Sequence, residues 1–163
     1  MNLRLLSVAE LLALHGAVLE ELHARGTVRT ANGPAADYAE LLCCSAFGWT
    51  REPNSKAGYD ATDADGRRYQ IKARRANARN GSRQLGALRG LEDDPFDHLA
   101  GLLFTSDFQV ARAAMVPRRT VHDRASYVAR TNSWKFFLTD DVWTLPGVRD
   151  VTAELRAAQA LIG

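Results

Sequence analysis

The chain has 163 residues, 46% of them apolar, which is enough to bury one sizeable core and is about the size of one domain. Its formal net charge of +2 is mildly basic and does not by itself separate a nucleic-acid binder from an ordinary enzyme. Every apolar run is short, and there is no repeat or low-complexity tract. We therefore expect a single cytoplasmic domain over 1–163, with no signal peptide, membrane span or solenoid.

Two helices are predicted in the N-terminal 48 residues, and we expect both to pack on the core. The capping-box pattern at 7–10 and the apolar residues that follow at helical spacing predict a helix over 8–25. A second helix follows and is expected to end near Gly48. It carries Glu40 and two adjacent cysteines, which we expect to be reduced core residues because neighbours in sequence suit neither a long-loop disulfide nor a zinc site.

Strands are predicted in the middle of the chain. A hairpin is expected over 58–73, with 64–66 as a three-residue turn that ends in glycine. Residues 76–91 are predicted to be a polar loop that leads into a short helix at 84–91. The apolar run 99–104 is typical of a strand covered on both faces, and a neighbouring strand is predicted at 110–116.

The last third of the chain is predicted to contain three more elements: a helix at 118–129, a short strand at 135–138 and a closing amphipathic helix at 151–162. The order of helices, a meander of strands and then helices predicts an α/β or α+β fold. We expect a central mixed sheet of four or five strands flanked by helices.

The predicted hairpin brings three polar side chains together. A three-residue turn at 64–66 sets a register in which Asp60 lies directly across from Gln70. Side chains alternate between the two faces of a strand, so Lys72 shares a face with Gln70. We therefore expect an acid, an amide and an amine within roughly 5 to 8 Å of each other.

These residue types suit a metal-dependent hydrolase. Asp60 and the side-chain carbonyl of Gln70 offer the oxygen ligands that Mg²⁺ prefers. The Lys72 ammonium is suited to orient a nucleophile or to offset phosphoryl charge. Glu40 would add a second carboxylate if the second helix packs beside this edge of the sheet. The combination points to phosphodiester hydrolysis.

The same residues carry a resemblance to a known superfamily. Asp60 and Gln70-Ile71-Lys72, preceded by a helix with Ala39-Glu40-Leu41-Leu42, resemble the PD-(D/E)XK (restriction-endonuclease-like) superfamily, especially its Mrr-type members with Gln-X-Lys. Small bacterial proteins of unknown function in that superfamily are similar over the wider stretch 37–75, which includes 54–60 and 65–72, and on through 96–97 and 148–152, hence over most of the chain. Tyr59 stands where the motif has proline, and Gln70 stands where it has an acid.

The resemblance implies a restriction-endonuclease-like core and a nuclease site. Its catalytic residues would be Glu40, Asp60, Gln70 and Lys72. Its cofactor would be Mg²⁺ or Mn²⁺, held by Asp60, Gln70 and Glu40.

A basic segment lies next to this site. From Arg67 to Leu91 there are eight lysines and arginines and no acid, so the rest of the chain carries a charge of −6. A basic segment beside a hydrolytic site predicts contact with the phosphates of DNA. The candidate contact residues are Arg74, Arg75, Arg79 and Arg83.

Three functions stay open at this point. The first is a metal-dependent DNA endonuclease of restriction or defence type. The second is a catalytically inactive nuclease-fold module that binds nucleic acid, or a subunit of a larger complex. The third is a protein-interaction domain without nucleic acid. A homodimer suits the first function, since two nicks need two sites, but nothing in the sequence demands one.

Overall fold

The structure is a computed structural model that describes residues 1–30, 33–53, 58–76, 79 and 81–162. Four α-helices lie in this part of the chain: α1 (Val8–Ala24), α2 (Ala35–Phe47), α3 (Arg118–Arg124) and α4 (Thr152–Ile162). None of them is both long and apolar enough to cross a membrane.

Strands in the same part of the chain form one six-stranded sheet and one separate hairpin. The large sheet has the order β1-β2-β3-β4-β5-β8, in which β3 and β4 are parallel and all other neighbours are antiparallel. β6 and β7 form the hairpin. The strands are β1 (Thr50–Arg51), β2 (Ala61–Thr62), β3 (Arg68–Arg75), β4 (His98–Phe104), β5 (Val110–Pro117), β6 (Ser126–Val128), β7 (Ser133–Lys135) and β8 (Arg149–Asp150).

The local sequence accounts for the bounds of the first two helices. Ser7 and Glu10 form a capping box at the start of α1, each side chain accepting from the other's backbone N–H. Gly48 ends α2 in the left-handed conformation at φ +66°, which glycine adopts without steric cost. The predicted first and second helices are confirmed, as is the closing helix, now α4.

The large sheet separates two apolar clusters. On one face, α2 and α4 pack against side chains of β3, β4 and β5, including Ile71, Leu102 and Met115. On the other face, α3 and the irregular segments around 85–91 and 136–142 cover Leu99 and Val116. Because both faces are covered, β4 is buried along nearly its whole length, as predicted for 99–104.

Both cysteines of α2 are free. Cys43 is buried and Cys44 is half-buried. Burial raises the pKa of Cys43 well above its ordinary range and that of Cys44 to about 11, so both thiols stay protonated near neutral pH. They act as apolar packing groups.

The helix predicted at 84–91 is wrong. The leucines of this segment are buried. The segment is not helical, however, and pairs with residues 134–137 through isolated β-bridges. Leu85 donates a backbone hydrogen bond to Phe136, and Leu88 exchanges two with Trp134. Gly86 and Gly90 disfavour a helix, so long-range pairing prevails over the local periodicity. Residues 77, 78 and 80 of the predicted loop lie outside the described residues.

Four other predictions need correction. In the described part of the chain the sheet has six strands rather than four or five, because the two-residue strands β1 and β8 add an edge on each side. The strands are not a plain meander, since the chain crosses over between β3 and β4 to pair them in parallel. The helix predicted at 118–129 ends at Arg124, and the strand predicted at 135–138 lies at Ser133–Lys135.

Candidate functional site

The hairpin between β2 and β3 has the register predicted from its turn. Ala61 pairs with Tyr69 and Thr62 with Arg68, so the preceding residue, Asp60, lies opposite Gln70. Gly66 closes the turn at φ +78°, where a side chain would be strained, and donates a hydrogen bond to the Asp63 carbonyl at 3.0 Å.

The Asp60 carboxylate lies at the point where β2 stops pairing with β3. Its Oδ2 accepts a hydrogen bond from the side-chain amide of Gln70 and another, at 2.6 Å, from the backbone N–H of Ile71. The Asp60 carboxylate therefore accepts the hydrogen bond from the Ile71 N–H that a backbone carbonyl of a neighbouring strand would otherwise accept. In the described part of the chain, both hydrogen bonds to this carboxylate end on Oδ2, which leaves Oδ1 for a further ligand.

Lys72 shares a face of β3 with Gln70, as predicted. Tyr69 and Ile71 point into the cluster under α2, and by alternation Gln70 and Lys72 point to the other face. Gln70 is buried, with 9% of its surface exposed, whereas Lys72 is half-buried. A Cβ placed on Gly86 would stand 3.4 Å from Cδ of Lys72, so the segment around 86 runs alongside the aliphatic part of the lysine.

Arg74 continues the same row. By alternation along β3, Gln70, Lys72 and Arg74 all point to one face of the strand. Among the described residues, neither Lys72 nor Arg74 has a carboxylate partner in an ion pair. The face of β3 that leads away from Asp60 therefore carries positive charge that no described acid neutralises.

Glu40 is engaged by two arginines. Its Oε2 accepts hydrogen bonds from Nη2 of Arg29 at 2.5 Å and from Nε of Arg51 at 2.8 Å. The side chains of Glu40 and Arg51 are only 14% and 16% exposed. A carboxylate so compensated is a weaker ligand for a cation than a free one, because two positive charges already share its field.

Asp37 extends this ion-pair cluster. Its Oδ2 accepts from the backbone N–H groups of Arg29 and Thr30, and Nη2 of Arg51 lies 3.4 Å from Oδ1. Burial works to raise the pKa of Asp37, but these hydrogen bonds and the charge of Arg51 outweigh it and hold the pKa below its ordinary value. The cluster fixes the segment before α2 and the strand β1 against the helix.

Glu40 lies on α2, which covers the face of the sheet opposite to the one that carries Gln70 and Lys72. Cys43, one turn after Glu40 on α2, has its pKa raised chiefly by burial. Among the described residues, both ion pairs of Glu40 end on Oε2, so Oε1 is the atom that remains for another contact.

The residues around Asp60 fit a magnesium site that keeps most of its water. Among the described residues, no group of three His, Cys, Asp or Glu side chains is placed to hold a metal ion, which rules out a dedicated protein cage there. Mg²⁺ is commonly bound through one or two carboxylates and several waters. Oδ1 of Asp60 and the side-chain carbonyl of Gln70 are oxygen donors of that kind, whereas Glu40 is paired with Arg29 and Arg51.

Carboxylates from the hairpin turn and from more distant parts of the chain neutralise part of the positive charge of the basic segment. Arg67 pairs with Asp63 and Asp65 in the hairpin turn. Arg68 pairs with Asp97, whose pKa is held below its ordinary value chiefly by the hydrogen bond from the Arg68 guanidinium. The positive charge that remains for a ligand is therefore smaller than the composition of the segment implies.

Two of the four predicted DNA contacts, Arg74 and Arg75, point to opposite faces of β3. Arg74 lies on the Lys72 face, whereas Arg75 lies over the Phe108 ring at 4.5 Å, on the face of α2 and α4. Arg83 pairs with Asp140. Arg79 is exposed, and the residues at 77, 78 and 80 lie outside the described part of the chain.

Sequence reasoning missed the residues that hold Glu40. Arg29 and Arg51 come from loop and edge positions on either side of α2, and no periodicity marks them. One feature was available: Asp37 and Glu40 are one helical turn apart, so both must lie on the same face of α2. Two acids on a face that also carries buried Cys43 require compensating cations.

Comparisons with known proteins do not assign the chain to a family. No family model matches it. A comparison with curated proteins also gives no match. The resemblance to the PD-(D/E)XK superfamily therefore stays a prediction made from the sequence. The stretch 54–57, which contributes to it, lies outside the described residues.

Proposed function

We propose that this chain is a DNA endonuclease that hydrolyses phosphodiester bonds with Mg²⁺ or Mn²⁺ at a site centred on Asp60. The observation that carries the proposal is the contact between Asp60 and Gln70 across the hairpin, with Lys72 next on the same face of β3. An acid, an amide and an amine gathered at one hairpin are the groups that the PD-(D/E)XK resemblance implies.

Each residue has a distinct role in this proposal. Asp60 is the principal ligand of the cation, and Gln70 and Glu40 assist. A bound divalent cation supplies charge neutralisation at the phosphate and lowers the pKa of water. Lys72 holds its ammonium beside the scissile phosphate, where it orients the attacking water or offsets the charge that develops. Arg74, farther along the same face, binds a neighbouring phosphate of the DNA.

Plasmid cleavage tests the proposal. Supercoiled DNA is incubated with the purified chain and Mg²⁺ or Mn²⁺, and nicked and linear products are followed over time. Wild-type protein is expected to cut, and Asp60→Asn and Lys72→Met are expected not to. Asp65→Asn and Lys135→Met are the matched controls, because they make the same changes at exposed positions and are expected to cut normally. Cleavage that survives both site variants would reject this site.

A second candidate function is a nuclease-derived module that binds DNA without cutting it. The two arginines that pair with Glu40 favour it, because among the described residues they leave Asp60 as the one predicted carboxylate ligand outside an ion pair. This function predicts binding that weakens steeply with salt and no cleavage with any divalent cation. The plasmid assay and a binding titration on the same preparation separate the two functions.

A further inference from the structure

Helix α1 has an apolar face that the rest of the chain does not cover. None of its 17 residues is buried. Val8, Leu12 and Val18 are 75%, 67% and 49% exposed. A helix of this length without burial of its apolar face is marginal in water, since most helical stability in proteins comes from packing. The exposed face therefore requires a partner.

Most of the large apolar residues of α1 occupy one stripe, and Leu14, which is half-buried, lies just outside it. At 100° per residue, seven positions fall within an arc of about 120°. They are Val8, Leu11, Leu12, His15, Val18, Leu19 and Leu22. Leu19 and Leu22, at the C-terminal end, are partly covered by the chain itself, and the more N-terminal positions are open. The stripe runs the length of the helix, about 25 Å.

The spacing of the stripe is the same in both directions. Counted from His15, apolar residues lie three, four and seven positions before it and three, four and seven positions after it. Two copies of α1 placed antiparallel about a two-fold axis at His15 therefore match apolar side chains throughout. The resulting pairs are Val8 with Leu22, Leu11 with Leu19, Leu12 with Val18, and His15 with its own copy. Self-complementarity of this kind is what an isologous dimer interface requires.

The charges on α1 favour a second copy over a membrane surface. Helices that lie on membranes carry lysine and arginine on their polar face, which attracts anionic lipid. The polar face of α1 instead carries Glu10, Glu20 and Glu21. Acidic residues on this face also make it a poor contact for DNA.

We propose that two copies of this chain associate through α1, paired antiparallel about a two-fold axis at His15. The interface consists of the apolar stripe centred on His15. It leaves the hairpin at Asp60 outside the contact. The proposal does not depend on the nuclease function, although a dimer would supply one site for each strand of a duplex.

Sedimentation velocity of the full chain over a range of concentrations tests the association. Wild-type protein is expected to be dimeric at about 100 µM, where even a micromolar interface is populated. Leu12→Glu is expected to raise the dissociation constant by at least about 100-fold, because each dimer would bury two unpaired carboxylates. Ala17→Glu is the matched control: it adds the same charge at an exposed position on the opposite face of α1 and is expected to dimerise normally.

Disulfide trapping tests the antiparallel register. Leu12→Cys and Val18→Cys proteins, both changed at exposed positions, are mixed and oxidised mildly. The mixture is expected to cross-link, and Leu12→Cys alone is not. In the proposed pair the two copies of residue 12 are offset by about 9 Å along the axis, beyond the roughly 7 Å limit between Cα atoms of a disulfide. Wild-type protein controls for the native cysteines.

Three results would overturn the proposal. If the wild-type protein is monomeric at the highest concentration, the dimer is excluded. This holds even if the monomer binds lipid vesicles or another protein. Equal weakening by Leu12→Glu and Ala17→Glu excludes the stripe as the interface. Efficient cross-linking of Leu12→Cys with itself, without the mixed product, excludes the antiparallel arrangement.

Discussion

The side-chain amide of Gln70 donates a hydrogen bond to the carboxylate of Asp60, across the two strands of one hairpin. In this contact the amide satisfies the carboxylate through its NH₂ group. A cation ligand needs the carbonyl oxygen of the same amide instead. The proposed metal site therefore requires the Gln70 amide to turn over when a cation binds.

Gln70→Glu is predicted to make folding stability depend on divalent cations. The change restores the acid of the PD-(D/E)XK motif but sets two carboxylates against each other, which we expect to cost about 1–3 kcal/mol without metal. Mg²⁺ or Mn²⁺ should recover much of this loss. Urea unfolding with EDTA and with each cation measures the effect, and Gln84→Glu, on a half-buried loop position, is the control. A stability unaffected by cations would contradict the prediction.

Removal of the Glu40 charge is predicted to destabilise the fold. Glu40→Gln leaves Arg29 and Arg51 with less compensation in a mostly buried setting, and we expect a loss of about 3 kcal/mol in the free energy of unfolding. Glu21→Gln is the control, because Glu21 pairs with Arg25 in an exposed i,i+4 pair worth about 0.3–0.5 kcal/mol. Equal effects of the two changes on the urea midpoint would show that the Glu40 cluster contributes little.

His98 is predicted to reduce stability as the pH falls below neutrality. Burial lowers its pKa, and its Nδ1 is buried without a hydrogen-bond partner among the described residues. The folded chain thus favours neutral His98, while the unfolded chain binds a proton near a pKa of about 6.5. The contribution of His98 is complete above that pH and is lost as the pH falls toward the lower folded-state pKa.

The measurement for His98 is the free energy of unfolding at pH 7.5 and pH 5.5. Wild-type protein should lose stability between these two values, and His98→Gln should lose less. The exposed residue His122, which lies outside α1, provides the control variant His122→Gln, which should keep the wild-type pH dependence. If His98→Gln and wild type change in parallel, burial of His98 is not the cause.

Arg74→Ala is predicted to weaken DNA binding and its salt dependence. One phosphate contact fewer should reduce the slope of log K against log salt by about 1. Arg124→Ala is the control, because Arg124 pairs with Asp141 and lies on α3, away from β3. Fluorescence anisotropy with a short duplex at several salt concentrations measures both variants. An unchanged slope for Arg74→Ala would remove this residue from the DNA surface.

Local rules were sufficient for the hairpin and the helix ends. A three-residue turn closed by Gly66 permits essentially one register, so the position of Asp60 opposite Gln70 followed from the sequence. The capping box at Ser7 and the glycine at 48 likewise act within one turn of the helix that they bound. Each of these features depends on residues close together in the chain.

Features that depend on distant partners were not predictable from one sequence. The spacing of the leucines at 85, 88 and 91 favours a helix when it is considered alone. Pairing of this segment with 134–137, which one sequence does not reveal, decides against the helix. The charge of the basic segment gave no indication that Arg68 and Arg83 would form ion pairs with Asp97 and Asp140. The ion pairs of Glu40 with Arg29 and Arg51 were not predictable for the same reason, because they too join distant parts of the chain.

A crystal structure with Mn²⁺ tests the central claim most directly, because the anomalous scattering of manganese locates the ion. We predict a peak within about 2.6 Å of a carboxylate oxygen of Asp60, the range of oxygen ligands to hard divalent cations, with the side-chain carbonyl of Gln70 turned toward it. Crystals at the same Mn²⁺ concentration with no peak at Asp60, and with the Gln70 amide still donating to its carboxylate, would contradict the claim.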